Sequence, residues 1–377
     1  MVVGDPNGPS QPAAFDFLKS LLPDIPPELQ PLQALAYDID AFEKDIDLFA
    51  GGLGIPAAEL RERASEARSG SDPLAKKRAK QHVVTRALLA GWCTGTSRDK
   101  GDQLIWPYSL TTGPEARIDP TYVGIVPDYI KVDSERTEMT WELIETTIRD
   151  VVAQLEGSPN LRDPALVKRV RKIVALHWAR SFETLEAVEG LCTQTIAANK
   201  AFMRANPELV NQRYRLKMGD PTVTPSSPER EAFIEEFAGR AEWIFTSGAF
   251  FRRDVIYLLR RAQEEWAHLQ VQILRAPSGS EFLIGDSPVV KMDDTGHRRG
   301  PEHPITVGDA TSVLMPMSPR ITVVLDNLPR DTVVTAADVR RYNTWQLEAA
   351  RERTFMHPTA TALMAWVERT RPPTEVP

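Results

Sequence analysis

The sequence predicts an α+β protein: a helical body, a mainly antiparallel sheet formed by the C-terminal half, and an N-terminal helical extension. Two observations carry that reading. Helix-start signals head apolar stripes through the first two thirds of the chain, and after about Gln263 the pattern changes to short β-rich runs bounded by glycine or proline. No internal repeat argues for a solenoid or propeller.

In chain order, residues 1 to about 31 are rich in proline and polar residues. Pro23, Pro26, Pro27 and Pro31 forbid a long helix, so a flexible arm is expected. Leu35, Ile39, Phe42, Ile46 and Phe49 lie at helical spacing before Gly51-Gly52, and Pro56 suits the start of a second helix over Ala57 to Arg68. These make a helical extension over 32–70. Ser69-Gly70-Ser71-Asp72-Pro73 reads as a linker, with the main domain over 76–358 and a tail over 359–377.

Within the main domain, Ala79 to Trp92 is predicted as a helix and Gln103 to Ser109 as a short strand. Thr140 is placed to cap a helix with the stripe Trp141, Ile144, Ile148, Val151 and Leu155, closed by Gly157 and Pro159. Asp163-Pro164 combines a cap acceptor with proline at the first turn, starting a helical pattern that runs to about Arg204 with a break near Gly190. Ser227-Pro228 repeats the signal for a helix to about Phe245, and another follows over Phe250 to Gln263. Strands are expected over His268 to Leu274, Glu281 to Ile284, Ser312 to Met315 and Ile321 to Leu325, with a last helix over Ala336 to Phe355.

Composition excludes several classes. A net charge of −7 argues against non-specific coating of DNA or anionic membrane, although a local basic groove is compatible with it. No apolar run approaches membrane-spanning length and no signal peptide is visible. Cys93 and Cys192 stand apart without CxxC spacing, which fits reduced thiols in a cytoplasmic protein and no membrane partner. There is no Walker loop, dinucleotide fingerprint, HExxH or zinc cysteine set. Ser318 lacks a GxSxG setting.

Four side chains suggest chemistry. His82, near the start of its expected helix, would have its pKa lowered by the helix N-terminus, leaving a neutral ring suited to a general base or to a hydrogen bond with a loop. Arg86, four residues on, would share that face and clamp a phosphate or carboxylate, or else form a salt bridge. His177 and Arg180 are neighbours on the Asp163-initiated helix, where His177 continues the stripe Leu166, Val170, Ile173. An arginine at that core-facing edge needs an acidic partner or an anionic ligand. Asp286, at a strand end before Ser287-Pro288, either caps an Asx-turn or presents a carboxylate that orients His82 or pairs with an arginine.

Asp293, Asp294, His297 and His303 read as a polar loop rather than a metal centre. The cofactor is unknown. A divalent metal is open, but no carboxylate shell can be named for it. The basic runs Lys76 to Lys80 and Lys168 to Lys172, and Arg252, Arg253, Arg260 and Arg261, are solvated surface unless the fold joins two of them into a phosphate groove.

These residues resemble the motifs of a large bacterial family of unknown function, whose members open on a pattern close to HxVPxxYLxxF and then carry SDxPV and PLSPR. His82, Val84, Leu89 and Trp92 match the first, with Thr85 for the proline and Leu88 for the tyrosine. Asp286-Ser287-Pro288-Val289 matches the second, with Gly285 for its serine, and Pro316-Met317-Ser318-Pro319-Arg320 the third. Arg180-Ser181 is similar to a family arginine followed by a small hydroxyl residue, and Asn343 and Arg351 fall on its closing helix. The resemblance spans about 76–358 and implies a fold and a residue set, not a reaction.

The residue types then suggest an enzyme processing a phosphate-containing polymer, RNA or DNA, such as a toxin-like or defence nuclease. His82 would move protons, Arg86 and Arg180 would neutralise phosphate, and Asp286 would orient the site. The alternative is a non-catalytic recognition domain in which the histidine and aspartate lock turns together and the N-terminal helices contact a protein partner.

Overall fold

In the computed structural model, residues 81–95, 103–126, 129, 141–246, 249–293, 307–327 and 331–370 are described. The expected arm, the 32–70 helices, the linker, Thr140 and most of the Asp293–His303 loop lie outside them. Helices and mixed sheets confirm an α+β protein. Two compact units are present, one containing Ala187–Asp254 and the other Arg78–Glu186 with Val255–Pro377.

The larger unit opens with β1 (Gln81–His82), the four-residue helix α1 (Arg86–Leu89) and a 3-10 turn, Ala90–Trp92. β2 (Trp106–Ser109), β3 (Gly113–Pro114), a 3-10 turn at Pro120–Tyr122 and β4 (Ile125–Val126) follow. Residues 141–145 are helical, and α2 (Ile148–Glu156) continues after a turn at Thr146–Thr147. α3 (Pro164–Ala179) starts where expected: Asp163 accepts from the Ala165 N–H at 2.9 Å with proline at the first turn. The helical pattern breaks at Arg180-Ser181 rather than near Gly190, and α4 (Phe182–Ala205) runs through that glycine.

The other unit holds the rest of α4, α5 (Pro207–Met218), α6 (Ser227–Thr246) and the start of α7 (Ala249–Glu265). Met203, Val210, Phe233 and Ile234 form its described core, with Tyr214 edge-on to Phe233 at 5.8 Å. Lys200–Glu235 (2.6 Å) and Arg204–Glu235 (2.8 Å) tie α4 to α6 at the surface.

Back in the larger unit come β5 (Gln270–Arg275), β6 (Ile284–Gly285), β7 (Val290–Met292), β8 (Ser312–Ser318), β9 (Ile321–Asp326), β10 (Asp331–Val333), α8 (Ala336–Ala349), β11 (Arg353–Met356) and α9 (Thr361–Thr370). The five-stranded sheet has order β10-β5-β9-β8-β7, antiparallel except for the parallel β10–β5 pair. The four-stranded sheet, β3-β2-β11-β6, is antiparallel. Pro316 cannot donate to a ladder. It lies beyond Leu314, the last β8 residue paired with β7, and beside a register shift at Pro316/Ser318.

α8 serves both sheets. Val339, Tyr342 and Trp345 pack with Leu274, Phe282, Leu314 and Val324 of the larger sheet's core, while Leu347 packs with Tyr108, Leu283 and Met356 of the smaller sheet's. A Thr335–Asp338 capping box starts it. The predicted last helix, Ala336 to Phe355, therefore stops at Ala349, because Arg353 to Met356 pair with β2 and β6.

Candidate functional site

The segment expected as a helix from Ala79 is strand, bend and short helix. Val83, Val84 and Thr85 are consecutive β-branched residues, which disfavour helix. His82 pairs with Ile125 across β1–β4, and the Val83 N–H donates to the Gly124 carbonyl at 2.8 Å. Thr85, with extended backbone, caps α1 by accepting from the Leu88 N–H at 3.1 Å. His82 is thus not at a helix N-terminus, and Arg86 reaches its neighbourhood around a bend rather than along a helical face.

The C-terminus of α3 supplies the other half of the cluster. His177 is fully buried. Its Nδ1 lies 2.8 Å from the Ile173 carbonyl, which can only accept, so Nδ1 carries the hydrogen. Nε2 then accepts from the Thr85 hydroxyl at 3.2 Å, leaving that oxygen's lone pairs for Leu88. Burial, reinforced by the Arg180 charge, pushes the His177 pKa down to about 3, so the ring is neutral at any physiological pH.

Arg180 is 1 % exposed. Its Nε donates to the Val83 carbonyl at 3.1 Å, Nη1 forms an ion pair with Glu145, and the guanidinium lies 5.4 Å from the Trp141 ring centre. Nη2 is buried and has no hydrogen-bond partner among the described residues. Burial pulls its pKa down while Glu145 pulls it up.

His82 and Arg86 are half-buried. Burial, then the Arg180 charge, lowers the His82 pKa against the opposing pull of Glu145 and of the Thr121 backbone. The downward direction is the one expected, but it comes from burial and a cation rather than a helix dipole. Among the described residues, His82 Nε2 and Arg86 Nε are buried and have no hydrogen-bond partner, and no ion pair to Arg86 occurs. His82, Arg86 and Arg180 are therefore brought into mutual electrostatic reach, with Glu145 as the carboxylate.

Asp286 is elsewhere. Its carboxylate, 3 % exposed, accepts from the backbone N–H groups of Arg351 (2.8 Å), Glu352 (2.8 Å) and Arg353 (2.9 Å), and its own N–H donates to the Arg353 carbonyl. Burial pushes its pKa up against those three bonds. The charges acting on His82 are Arg180, Glu145 and Arg86, so the orienting role assigned to Asp286 has no geometry behind it, and Glu145 is the carboxylate whose charge reaches the ring.

The remaining motif residues are clamps. Arg320 donates to the carbonyls of Ala276 (2.7 Å), Ser280 (2.8 Å) and Pro277 (3.2 Å). Asn343 bridges the Leu283 N–H and Glu281 carbonyl, and Gln346 the Gly285 N–H and Pro288 carbonyl. Arg351, placed just past α8 rather than on it, pairs with Glu186. Among the basic runs, Arg169 pairs with Asp150 (2.6 Å), Arg171 donates to the Leu269 carbonyl, and Arg261 pairs with Glu265. Among the described residues no group of three or more histidine, cysteine or acidic side chains is placed to hold a metal ion.

Sequence reasoning missed Glu145 and misread Thr85. Glu145 lies one helical turn after Trp141, so the aromatic ring and the carboxylate that Arg180 uses share one face, a signal present in the Trp141 stripe. Thr85, read as a departure from a family proline, is a cap acceptor.

A family model described as "Protein of unknown function (DUF4238)" matches residues 80–360. No curated protein and no solved structure matches the chain.

Proposed function

Because the chain belongs to the DUF4238 family, an uncharacterised one that brings no reaction with it, we propose a function from the site itself: a nuclease-type enzyme acting on the phosphate backbone of RNA or DNA. His82 is the proton acceptor, and Arg86 and Arg180 are the phosphate-neutralising cations. The observation that carries this reading is Arg86, a half-buried guanidinium, beside the His82 imidazole, whose pKa is lowered: among the described residues the one has no counter-ion and the other's Nε2 no hydrogen-bond partner.

Each buried polar group left unsatisfied costs about 1–3 kcal/mol, so a ligand that supplies partners is favoured. A phosphate oxygen accepts from the Arg86 guanidinium, whose fork suits it better than lysine, while buried Arg180 contributes its charge from behind. Phosphodiester cleavage needs a base for the attacking hydroxyl and positive charge where the pentavalent phosphorus carries excess negative charge. A deprotonated ring beside two cations meets both needs. Glu145 holds Arg180 and leaves the trio with a net positive charge, within a chain of net charge −7. That contrast makes binding local and salt-sensitive.

The test is incubation of purified protein with RNA and DNA, with and without divalent metal. His82→Ala and Arg86→Ala are each expected to lower the rate by roughly 100-fold or more. Cleavage by His82→Ala at the parent rate overturns the assignment, as does no cleavage by the parent under any condition. A second reading, non-catalytic recognition of an anionic partner, is favoured by the complete burial of Arg180 beside Glu145. It predicts anion binding without turnover.

A further inference from the structure

Arg180 and Glu145 form an ion pair whose two ends have different surroundings: the Arg180 side chain is 1 % exposed and that of Glu145 33 %. The buried end is held from within. Arg180 Nε donates to the carbonyl of Val83, the residue after His82, and its guanidinium lies against the buried Trp141 ring. The carboxylate is the open end of the pair.

Glu145 is also fixed in place. It ends the helical stretch that begins with Trp141, and the turn after it is tied down. The Thr146 N–H donates to the Glu142 carbonyl at 2.9 Å, and Thr147 donates to the Ile144 carbonyl through its N–H (3.0 Å) and its hydroxyl (2.7 Å). α2 then starts at Ile148 and packs against α1, which begins with Arg86. Glu145 is thus a standing negative charge at the edge of the cluster, and that charge reaches the His82 ring. Two guanidinium groups less one carboxylate leave the cluster a single positive charge.

We infer that Glu145 is the specificity-determining residue of the anion site: it matches the site to one negative charge, so the ligand is an internal phosphodiester of a strand rather than a terminal phosphate group. This rests on the phosphate-binding reading of the His82–Arg86 site. An internal phosphodiester carries one negative charge, whereas a terminal phosphate carries about 1.5 to 2 at neutral pH. The first neutralises the cluster. The second leaves negative charge over in a half-buried place, beside a carboxylate that repels it, and burying unpaired charge is costly. A repulsive element of this kind rejects the wrong ligand where attraction alone would take both.

Dimethyl phosphate and methyl phosphate are close in size and differ by one charge at about pH 8. Each is titrated into the full chain while the His82 ring resonances are followed by NMR. The parent is expected to bind dimethyl phosphate more tightly. Glu145→Gln keeps an oxygen for Arg180 but no charge, and is expected to shift the ratio of affinities toward methyl phosphate by roughly tenfold. A parent that prefers methyl phosphate overturns the inference without any variant, and so does an unchanged ratio in a Glu145→Gln protein of parent-like Tm. Arg86→Ala is expected to weaken both ligands. Parent-like binding of both by Arg86→Ala, or no response of the His82 ring to either ligand, overturns the site reading beneath it.

Discussion

At the scale of residues, the physics is that of polar groups paid off within the protein or left open. His177 and Asp286 are the first kind. The folded His177 ring resists protonation down to about pH 3, whereas in the unfolded chain it titrates near 6.5. The unfolded state therefore binds the proton first. The ring's contribution to stability is whole above pH 6.5 and is lost as pH falls toward 3, at roughly 1.4 kcal/mol per pH unit in that window. Urea unfolding at pH 7, 6, 5 and 4 should show a shallower decline in His177→Leu than in the parent; equal slopes would remove His177 as the cause. Asp286→Ala strips three backbone N–H groups of their acceptor and is expected to cost about 2–4 kcal/mol in the same assay. A parent-like midpoint would contradict the clamp. His82, Arg86 and the Nη2 of Arg180 are the second kind, and the functional proposal attaches to them.

At the scale of elements, the structure turns on short pieces that tie the sheets to α8. Gly285 sits tightly under the end of α8: a Cβ there would lie 3.1 Å from both the Ala350 Cβ and the Gln346 carbonyl, so those neighbours would have to give by a few tenths of an ångström. Gly285→Ala is expected to crowd β6 against the end of α8, at a cost of about 1 kcal/mol, readable as a lowered Tm; an unchanged Tm would mean the neighbours yield without cost. Elements announced by local chemistry were legible in the sequence. Asp163-Pro164 starts its helix as expected, and α6 starts at Ser227-Pro228 with Ser226 rather than Ser227 as the cap acceptor, because a cap acceptor and a first-turn proline act within a few residues. Elements decided by distant pairing were not. Arg353 to Met356 continue a helical pattern in sequence but are strand because β2 and β6 flank them, and Gln81–His82 are strand because β4 does. The candidate site divides the same way. Residue type singles out His82, Arg86 and Arg180, which the structure brings within electrostatic reach of one another; Glu145, on the Trp141 face, is passed over because its role depends on where Arg180 lies.

At the scale of the whole molecule, the motifs that mark the family separate into two jobs. The second and third motifs, with Asn343, build turns around the two sheets, since Asp286, Arg320 and Asn343 spend their polar atoms on backbone groups. The first motif and the end of α3 make the one described place where cations and a neutral imidazole converge without full pairing. No helix among the described residues is long and apolar enough to cross a membrane. The central claim is that this convergence takes an anion, and the His82 ring reports it directly. Its imidazole titration, followed by NMR in the full chain, should fall below 6.5 in the free protein. Saturating phosphate should move it upward, since an anion beside Arg86 and Arg180 favours the protonated ring, and Arg86→Ala should diminish that rise. A His82 titration curve that saturating phosphate leaves unchanged would contradict the account.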